Sequence, residues 1–214
     1  MTSLLVSKSQ ATPVLAPARH KRVLDIGLIV LALPVLLPVL VILILAVRLS
    51  SSGPVLFFQT RVGRDGKRFR LVKFRSMYAD AETRRAALLD QSDRSGVCFK
   101  HKADPRITPV GRFLRRSSLD ELPQLWNVLK GEMSLVGPRP ALPEEVAVYT
   151  PDAMLRLAGL PGLTGLWQVS GRADIGFDEM VAMDVAYLQT ASLRGDLALI
   201  ARTFGAVALA RGAY

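Results

Sequence analysis

The chain has 214 residues, of which 50% are hydrophobic, with a formal net charge of +10 and a mean hydropathy of +0.29. This length suits one compact domain with an accessory element, and the hydrophobic content excludes a disordered basic tail. One Cys and two His exclude a disulfide framework and a Cys/His zinc site. An apolar and basic chain points to an anionic membrane surface, nucleic acid or phosphorylated ligands.

The N-terminal region contains a long apolar segment. Residues 1–20 are a predicted lead-in, and within residues 21–50 no charge occurs over the 22 residues Ile26–Val47. As a helix this stretch would extend roughly 33 Å, enough to cross a bilayer. Pro34 and Pro38 interrupt it, which favours a bend, and the basic flanks on both sides favour the cytoplasm. The pattern predicts a re-entrant helix–break–helix in one leaflet, with a proline-containing spanning helix as the alternative.

Residues 51–214 are predicted to form one compact domain, mostly α with a small β-hairpin. The hairpin is predicted in VGRDGKRFRLVKF, because RDGK has the composition of a turn. Helices are predicted over 79–95, 118–130, 178–190 and 196–210. The apolar face of the second comprises Leu122, Leu125, Trp126 and Leu129. The last is predicted to be an amphipathic helix at the membrane interface, and GPRP, PGLTG and SGR are predicted loops.

An adjacent pair of carboxylates, Asp120 and Glu121, stands at the predicted start of the second helix. In one interpretation Ser118 and Glu121 form a capping box, since they have the S-x-x-E spacing. In the other, the pair holds Mg²⁺ through carboxylate oxygens and one carboxylate attacks phosphorus. The pair alone does not decide between them.

Several cations surround this pair in the sequence, and arginine suits bidentate binding of phosphate. The candidate substrate-binding residues are Lys73, Arg75, Arg112, Arg115, Arg139, Gln168 and Arg172. Alternation along the strand puts Lys73 and Arg75 on one face, either towards substrate phosphate or towards solvent. Trp167 and Gln168 either contact a nucleobase or, for Trp167, belong to the core. Together these residues favour transfer between two phosphate-bearing substrates, against the alternative of solvated surface arginines.

Four blocks follow in order: KRVLDIGLIVLALPVLLP, LVKFRSM, DPRITPVGRFLRRSSLDELPQLWNVLKGEMSLVGPRP and LPGLTGLWQVSGR. From about Lys21 to the C-terminus the chain resembles the bacterial sugar transferases, the monotopic polyprenyl-phosphate phosphoglycosyl transferases. The ending ARGAY resembles members that start exopolysaccharide repeat units with galactose or glucose phosphate. Two departures are Leu37 before Pro38, where many members have Ser, and Leu160 before PGLTG, where Arg-Pro is common.

The resemblance implies transfer of sugar-1-phosphate from a UDP-sugar to undecaprenyl phosphate, with release of UMP and a covalent phosphosugar enzyme. By position, Asp120 would be the nucleophile and Glu121 its partner, both contacting Mg²⁺, while Lys73, Arg115 and Arg139 match phosphate-associated positions. Pro38 matches the helix-breaking proline of the anchor. The implied location is the cytoplasmic face of the bacterial inner membrane.

A basic membrane-associated module that binds lipid or nucleic acid without catalysis is the alternative function. Such a module does not need the carboxylate pair, and nucleic-acid binding favours more than the 7% aromatic residues found here, so no nucleic-acid partner is expected. The identity of the sugar, the polysaccharide pathway and the formation of a homodimer stay open.

Overall fold

In the residues that the structure describes, a long helix leads into a domain of shorter helices and two small sheets. The structure is a computed structural model and describes residues 18–81, 83, 104–171 and 175–208. The α-helices and strands are α1 (Ala18–Ser50), β1 (Leu56–Val62), β2 (Arg68–Phe74), α2 (Pro109–Arg116), α3 (Leu125–Lys130), β3 (Ser134–Val136), α4 (Pro143–Val146), α5 (Pro151–Met154), β4 (Gly162–Thr164), α6 (Leu166–Ser170), α7 (Phe177–Thr190) and α8 (Leu193–Ala208). The predominance of helix with one small antiparallel sheet confirms the predicted mostly α fold.

Helix α1 is long and apolar enough to cross a membrane by length and composition. It is continuous through Pro34 and Pro38, so the predicted break between two helices is not confirmed. Each proline removes one backbone hydrogen bond and its ring crowds the carbonyl four residues back, but here the helix persists on both sides of Pro34 and Pro38. Most of the large apolar side chains along α1 are exposed, and Ile29, Leu43 and Val47 are the buried exceptions.

The predicted hairpin is confirmed. β1 and β2 pair antiparallel from Leu56 opposite Phe74 to Val62 opposite Arg68. A short 3₁₀ turn, Arg64–Gly66, joins them, and Gly66 has a φ of 75°, which glycine adopts without strain.

The predicted helix over 118–130 is divided in two. A 3₁₀ helix, Leu119–Gln124, precedes α3, and Ser118 before it has a φ of 56° and no side-chain capping bond, so the capping box is not formed. The inclusion of Trp126 in the apolar face was wrong, because this side chain is 60% exposed. The face of α3 that packs inward is instead formed by Leu125, Val128 and Leu129, the last two at helical spacing from the first.

Part of the segment predicted as a loop at PGLTG is a strand. β4 pairs in parallel with β3, with Ser134 opposite Gly162 and Val136 opposite Thr164. The hairpin continues towards this sheet through a bridge between Val62 and Ala141. The two short sheets therefore lie on either side of the turn Gly137–Pro140.

The two predicted C-terminal helices are present as α7 and α8, with residues 209–214 outside the described part of the chain. The helix predicted over 79–95 lies almost entirely outside it, and residues 79–81 form a turn. Within the described part of the chain, four buried clusters make the core. They are centred on Ile29 with Val128 and Met133, Val47 with Phe74 and Leu114, Val136 with Tyr187 and Leu199, and Trp167 with Met180.

Candidate active site

The carboxylate pair lies in the wall of a cavity of about 1000 Å³. Of the predicted residues, the cavity wall contains Lys73, Arg115, Asp120, Glu121, Arg139 and Gln168. The lining also includes apolar side chains: Leu28, Leu31 and Leu36 of α1 with Ile200, Phe204 and Val207 of α8. One cavity thus combines carboxylates, cations and a surface for an apolar chain.

The first part of the site, here called the carboxylate half, consists of β2 (Arg68–Phe74), the 3₁₀ helix Leu119–Gln124 and α3 (Leu125–Lys130). Lys73 on β2 reaches across to Glu121, with Nζ 2.6 Å from Oε1. Both side chains are largely enclosed, with 17% and 21% exposed. The pairing explains why Glu121 does not cap the helix: its carboxylate is bound to the neighbouring strand.

The second part, the arginine half, consists of residues 134–141 and 161–165. It presents Arg139, whose Nη1 lies 4.0 Å from Glu121 Oε1 and whose side chain is 39% exposed. The backbone of the turn is bonded on both sides: the Val62 N–H donates to Ala141, and the Gly162 N–H donates to Pro138, at 2.9 and 2.8 Å. Because these bonds fix the turn that carries Arg139, its partly exposed guanidinium is held in a position suited to binding phosphate.

The two carboxyl groups have opposite electrostatic environments. Burial raises the pKa of Asp120, which is 8% exposed, and the charge of Glu121 adds to this effect, while Lys73 and Arg115 oppose it. Burial also opposes ionisation of Glu121, but Lys73 and Arg139 outweigh it and lower its pKa below the usual range. Adjacent carboxyl groups whose pKa values are shifted apart are typical of catalytic pairs with separate roles.

Two predicted residues are not part of this group. The Arg75 guanidinium, 7% exposed, donates to the carbonyls of Val47, Ser51 and Ser52 at 3.3, 2.7 and 3.0 Å, where α1 ends. It therefore satisfies helix-end acceptors and does not line the cavity. Arg112 is exposed on α2, also away from the cavity wall, and Arg172 lies outside the described residues.

Trp167 and Gln168 lie on α6. Trp167 is 7% exposed and packs with Ile175 and Met180, which confirms the interpretation of Trp167 as a core residue. Gln168 Nε2 donates to the Leu163 carbonyl at 3.2 Å, and both residues border the cavity.

Arg61 on β1 was not among the predicted site residues. Its guanidinium is buried, donates to the Pro140 carbonyl at 3.1 Å and to Gln59 Oε1 at 2.7 Å, and borders the cavity. Burial lowers the pKa of Arg61 to about 10, and the charge of Arg139 acts in the same direction. Alternation along β1, which puts Gln59 and Arg61 on one face, was the available signal.

Arg156 and Asp184 form a second group that sequence reasoning did not identify. They make a buried ion pair, and Arg156 Nη2 also lies 3.4 Å from the Arg139 carbonyl. Burial raises the pKa of Asp184 to about 6, although Arg156 opposes this. No local pattern in the sequence signals the pair, since its members are on different helices.

Comparison with known proteins places the chain in a family. The model of the bacterial sugar transferase family matches residues 16–210, and the chain belongs to that family. It is 46% identical over 194 residues to the galactosyl transferase CpsE of Streptococcus agalactiae, covering 90% of this chain and 43% of that protein. It is 40% identical over 202 residues to the exopolysaccharide production protein ExoY of Sinorhizobium fredii, covering 91% and 88%.

A third relative is the UDP-glucose:undecaprenyl-phosphate glucose-1-phosphate transferase of Caulobacter vibrioides, 40% identical over 210 residues, with 94% of this chain and 74% of that protein covered. The chain spans about two fifths of the length of CpsE and of the UDP-galactose-lipid carrier transferase of Erwinia amylovora, with 43% and 41% covered.

Proposed function

We propose that this protein transfers sugar-1-phosphate, with galactose or glucose as the sugar, from a UDP-sugar to undecaprenyl phosphate. The products are undecaprenyl-diphospho-sugar and UMP, and the reaction starts exopolysaccharide synthesis. The observation that carries the proposal is a cavity lined by Asp120, Glu121 and Arg139 together with apolar side chains of α1 and α8. The names of the relatives, which include a galactosyl transferase and a glucose-1-phosphate transferase, support the same reaction class.

The cavity suits both substrates. Its volume of about 1000 Å³ is at the upper end of the range of small-molecule sites. Lys73, Arg115 and Arg139 offer positive charge to the diphosphate of the donor and the phosphate of the acceptor. The leucines of α1 and the side chains of Ile200 and Phe204 offer an apolar surface to the isoprenoid chain.

We propose Asp120 as the nucleophile, supported by its neighbours. Glu121 is held by Lys73 at 2.6 Å, so its carboxylate is already bound, whereas Asp120 carries a pKa raised by burial and is thus the more basic of the two. An Asp120 oxygen bonds to the phosphorus that carries the sugar, the bond from that phosphorus to the bridging oxygen breaks, and UMP leaves with the electron pair. An oxygen of undecaprenyl phosphate then attacks the same phosphorus, and the Asp120 carboxylate leaves.

The two adjacent carboxylates fit a Mg²⁺ site of the kind that uses one or two carboxylates together with substrate phosphates. Asp120 and Glu121 would hold the ion as a pair, since no group of three or more His, Cys, Asp or Glu side chains gathers among the described residues, at this site or elsewhere. A bound Mg²⁺ supplies charge neutralisation to the donor diphosphate. Chelation with EDTA is expected to stop UMP release, and added Mg²⁺ to restore it.

We propose that α1 is a re-entrant anchor on the cytoplasmic face of the inner membrane. In support, Ile29 packs with Val128, and Val47 packs with Leu114, so both ends of α1 contact the same domain. A polar domain stays on one side of a bilayer, and contacts from both helix ends keep both ends on that side. In this arrangement the basic residues bind the phosphates of lipids and nucleotides, and no nucleic-acid partner is proposed.

The topology is testable with Leu5→Cys and Thr60→Cys, each placed in a Cys98→Ala background and labelled by an impermeant maleimide in sealed vesicles. The re-entrant anchor requires equal accessibility at both positions. Labelling from opposite sides establishes a spanning helix instead.

The reaction is tested by UMP release from protein in nanodiscs with Mg²⁺, undecaprenyl phosphate and one donor at a time: UDP-glucose, UDP-galactose or UDP-N-acetyl sugars. We expect release that depends on the lipid with UDP-glucose or UDP-galactose. Absence of release with every donor, from folded protein, overturns the proposal. Salt-sensitive binding to anionic vesicles or nucleic acid without turnover would then favour the non-catalytic module.

A further inference from the structure

The first two turns of α1 carry three charged side chains that bond to the domain: Lys21, Arg22 and Asp25, here called the α1 cluster. Lys21 Nζ lies 2.5 Å from Asp196 Oδ2 and 3.1 Å from the Tyr187 hydroxyl. Only 13% of the Lys21 side chain and 3% of the Asp196 side chain are exposed. An ammonium group this enclosed is bonded to the protein and is not directed at lipid headgroups.

The α1 cluster also reaches β3, the strand that leads into the arginine half. The Asp25 carboxylate, in a residue that is 2% exposed, accepts a hydrogen bond from the Leu135 N–H at 3.1 Å. The Tyr187 hydroxyl, which contacts the cluster, lies 3.2 Å from the Val136 carbonyl. Val136 directly precedes the Gly-Pro-Arg-Pro turn, so these bonds are made at the base of the segment that presents the arginine.

Arg22 contacts the carboxylate half. Its guanidinium donates to the carbonyls of Val128 and Leu129, in the last turn of α3. Both carbonyls lie in the last turn of a helix that ends at Lys130, where a cation suits the helix dipole, and the Val128 carbonyl also accepts from the Gly131 N–H at 2.9 Å. Helix α3 follows directly on the 3₁₀ helix that carries the carboxylate pair, so Arg22 holds the far end of the same segment.

We propose that the α1 cluster is a positioning element of the active site, which holds the carboxylate half and the arginine half at a fixed separation. This inference rests on the proposed function and adds a role for the basic start of α1 beyond anchoring. The physical reason is that phosphoryl transfer depends on the placement of reacting groups, and an error of about 1 Å costs up to about 100-fold in rate. Lys21, Arg22 and Asp25 do not touch the reacting atoms.

The chain offers a matched control on the same helix. Arg19 carries the same charge as Arg22, is exposed, and makes none of the contacts described for the cluster. If the basic residues act only on lipid, Arg19→Met and Arg22→Met weaken membrane association alike and leave the chemistry unchanged.

The two contacts of the cluster predict different kinetic effects in UMP release. Arg22→Met loosens the carboxylate half and is expected to lower kcat about tenfold with little change in the KM of the UDP-sugar. Asp25→Ala loosens the arginine half and is expected to raise that KM about tenfold. Asp25→Asn keeps an acceptor for the Leu135 N–H and is expected to stay close to wild type. Arg19→Met serves as the unchanged control, and all variants should float with vesicles as wild type does.

A readout independent of turnover accompanies the kinetics. Hydrogen exchange of residues 134–141 should be faster in Asp25→Ala than in wild type and in Asp25→Asn, because the Leu135 amide loses its acceptor. Kinetics and exchange that match the Arg19→Met control overturn the positioning role, as does a change confined to membrane flotation. A wild-type protein that releases no UMP overturns the proposed function and this inference with it, while the exchange result still reports the contact.

Discussion

The two halves of the candidate site are held by different kinds of bonds. In the carboxylate half, the buried side chain of Asn127 joins α3 to β2. Its Oδ1 accepts from the Val72 N–H at 3.1 Å, and its Nδ2 donates to the Arg70 carbonyl at 2.8 Å and to Glu132 Oε2 at 2.7 Å. The carboxylate pair is therefore placed by side chains: the Asn127 amide and Lys73, together with Arg22 at the end of α3.

In the arginine half, backbone groups make the corresponding bonds. The Ser134 N–H donates to Pro161 at 2.8 Å and the Gly137 N–H to Thr164 at 2.9 Å. The chains approach so closely that a Cβ on Gly162 would lie 2.1 Å from the Gly137 nitrogen. Between β3 and β4 the absence of a side chain at Gly162 is therefore a structural requirement, and the Asp25 carboxylate bonds to β3 from outside this contact.

The comparison teaches that the two halves respond to different substitutions. A change of side chain should disturb the carboxylate half most, and an added Cβ should disturb the arginine half most.

The largest expected effect comes from the carboxylate half, at Asp120. Asp120→Asn removes the proposed nucleophile and should lower UMP release at least about 1000-fold, with the thermal midpoint unchanged or raised because a buried charge is lost. The measurement is UMP release beside circular dichroism, with the exposed Asp152→Asn as control. Release at the wild-type rate would reject Asp120 as the nucleophile.

In the arginine half, Gly162→Ala forces a Cβ against backbone. We expect this substitution to destabilise the fold by about 2 to 3 kcal/mol, because the contacting atoms, the Gly137 nitrogen and the Thr164 oxygen, belong to the backbone and cannot rotate away as a side chain would. Thermal unfolding in nanodiscs checks this. Gly205→Ala, with nothing within 4 Å of its added Cβ, is the control and should be neutral or stabilising. Equal midpoints for the two variants would show that the backbone contact is not tight.

The carboxylate half should depend on the amide of Asn127. Asn127→Ala leaves the Val72 N–H and the Arg70 carbonyl without this partner in the interior, at an expected cost of about 2 kcal/mol. Asn127→Asp keeps an acceptor for the Val72 N–H but loses the donor to the Arg70 carbonyl, so its destabilisation should be smaller than that of Asn127→Ala. A midpoint like wild type in Asn127→Ala would contradict the contrast between the halves.

The smallest effect concerns Ser118, just before the carboxylate pair. Its φ of 56° is left-handed, so Ser118→Gly should remove strain and stabilise the protein by about 0.5 kcal/mol. Ser117→Gly, at a φ of −89°, should instead destabilise it, and its hydroxyl bond to Phe113 would be lost. Thermal midpoints that shift in the same direction for both variants would reject the role of backbone strain.

Predictions of secondary structure were confirmed where an element is formed by residues that are adjacent in the sequence. The hairpin follows from RDGK between two alternating segments, and α7 and α8 follow from helical periodicity. Trp126 was misplaced because the turn from a 3₁₀ helix to α3 changes the helical register, which spacing alone does not reveal. The re-entrant form of α1 and the roles of the site residues stay predictions.

By itself the sequence determined the long apolar segment, the hairpin and the adjacent carboxylates, because each depends on residues that are close along the chain, and it determined the family because several motifs occur in the family's order. Only the tertiary structure decided which cations accompany those carboxylates. Lys73 and Arg139 meet Glu121, Arg61 joins them, and Arg75 bonds to the end of α1 instead. The physical reason is that an arginine binds whichever unpaired acceptor the fold brings within about 3 Å, and that choice is made by contacts between distant parts of the chain.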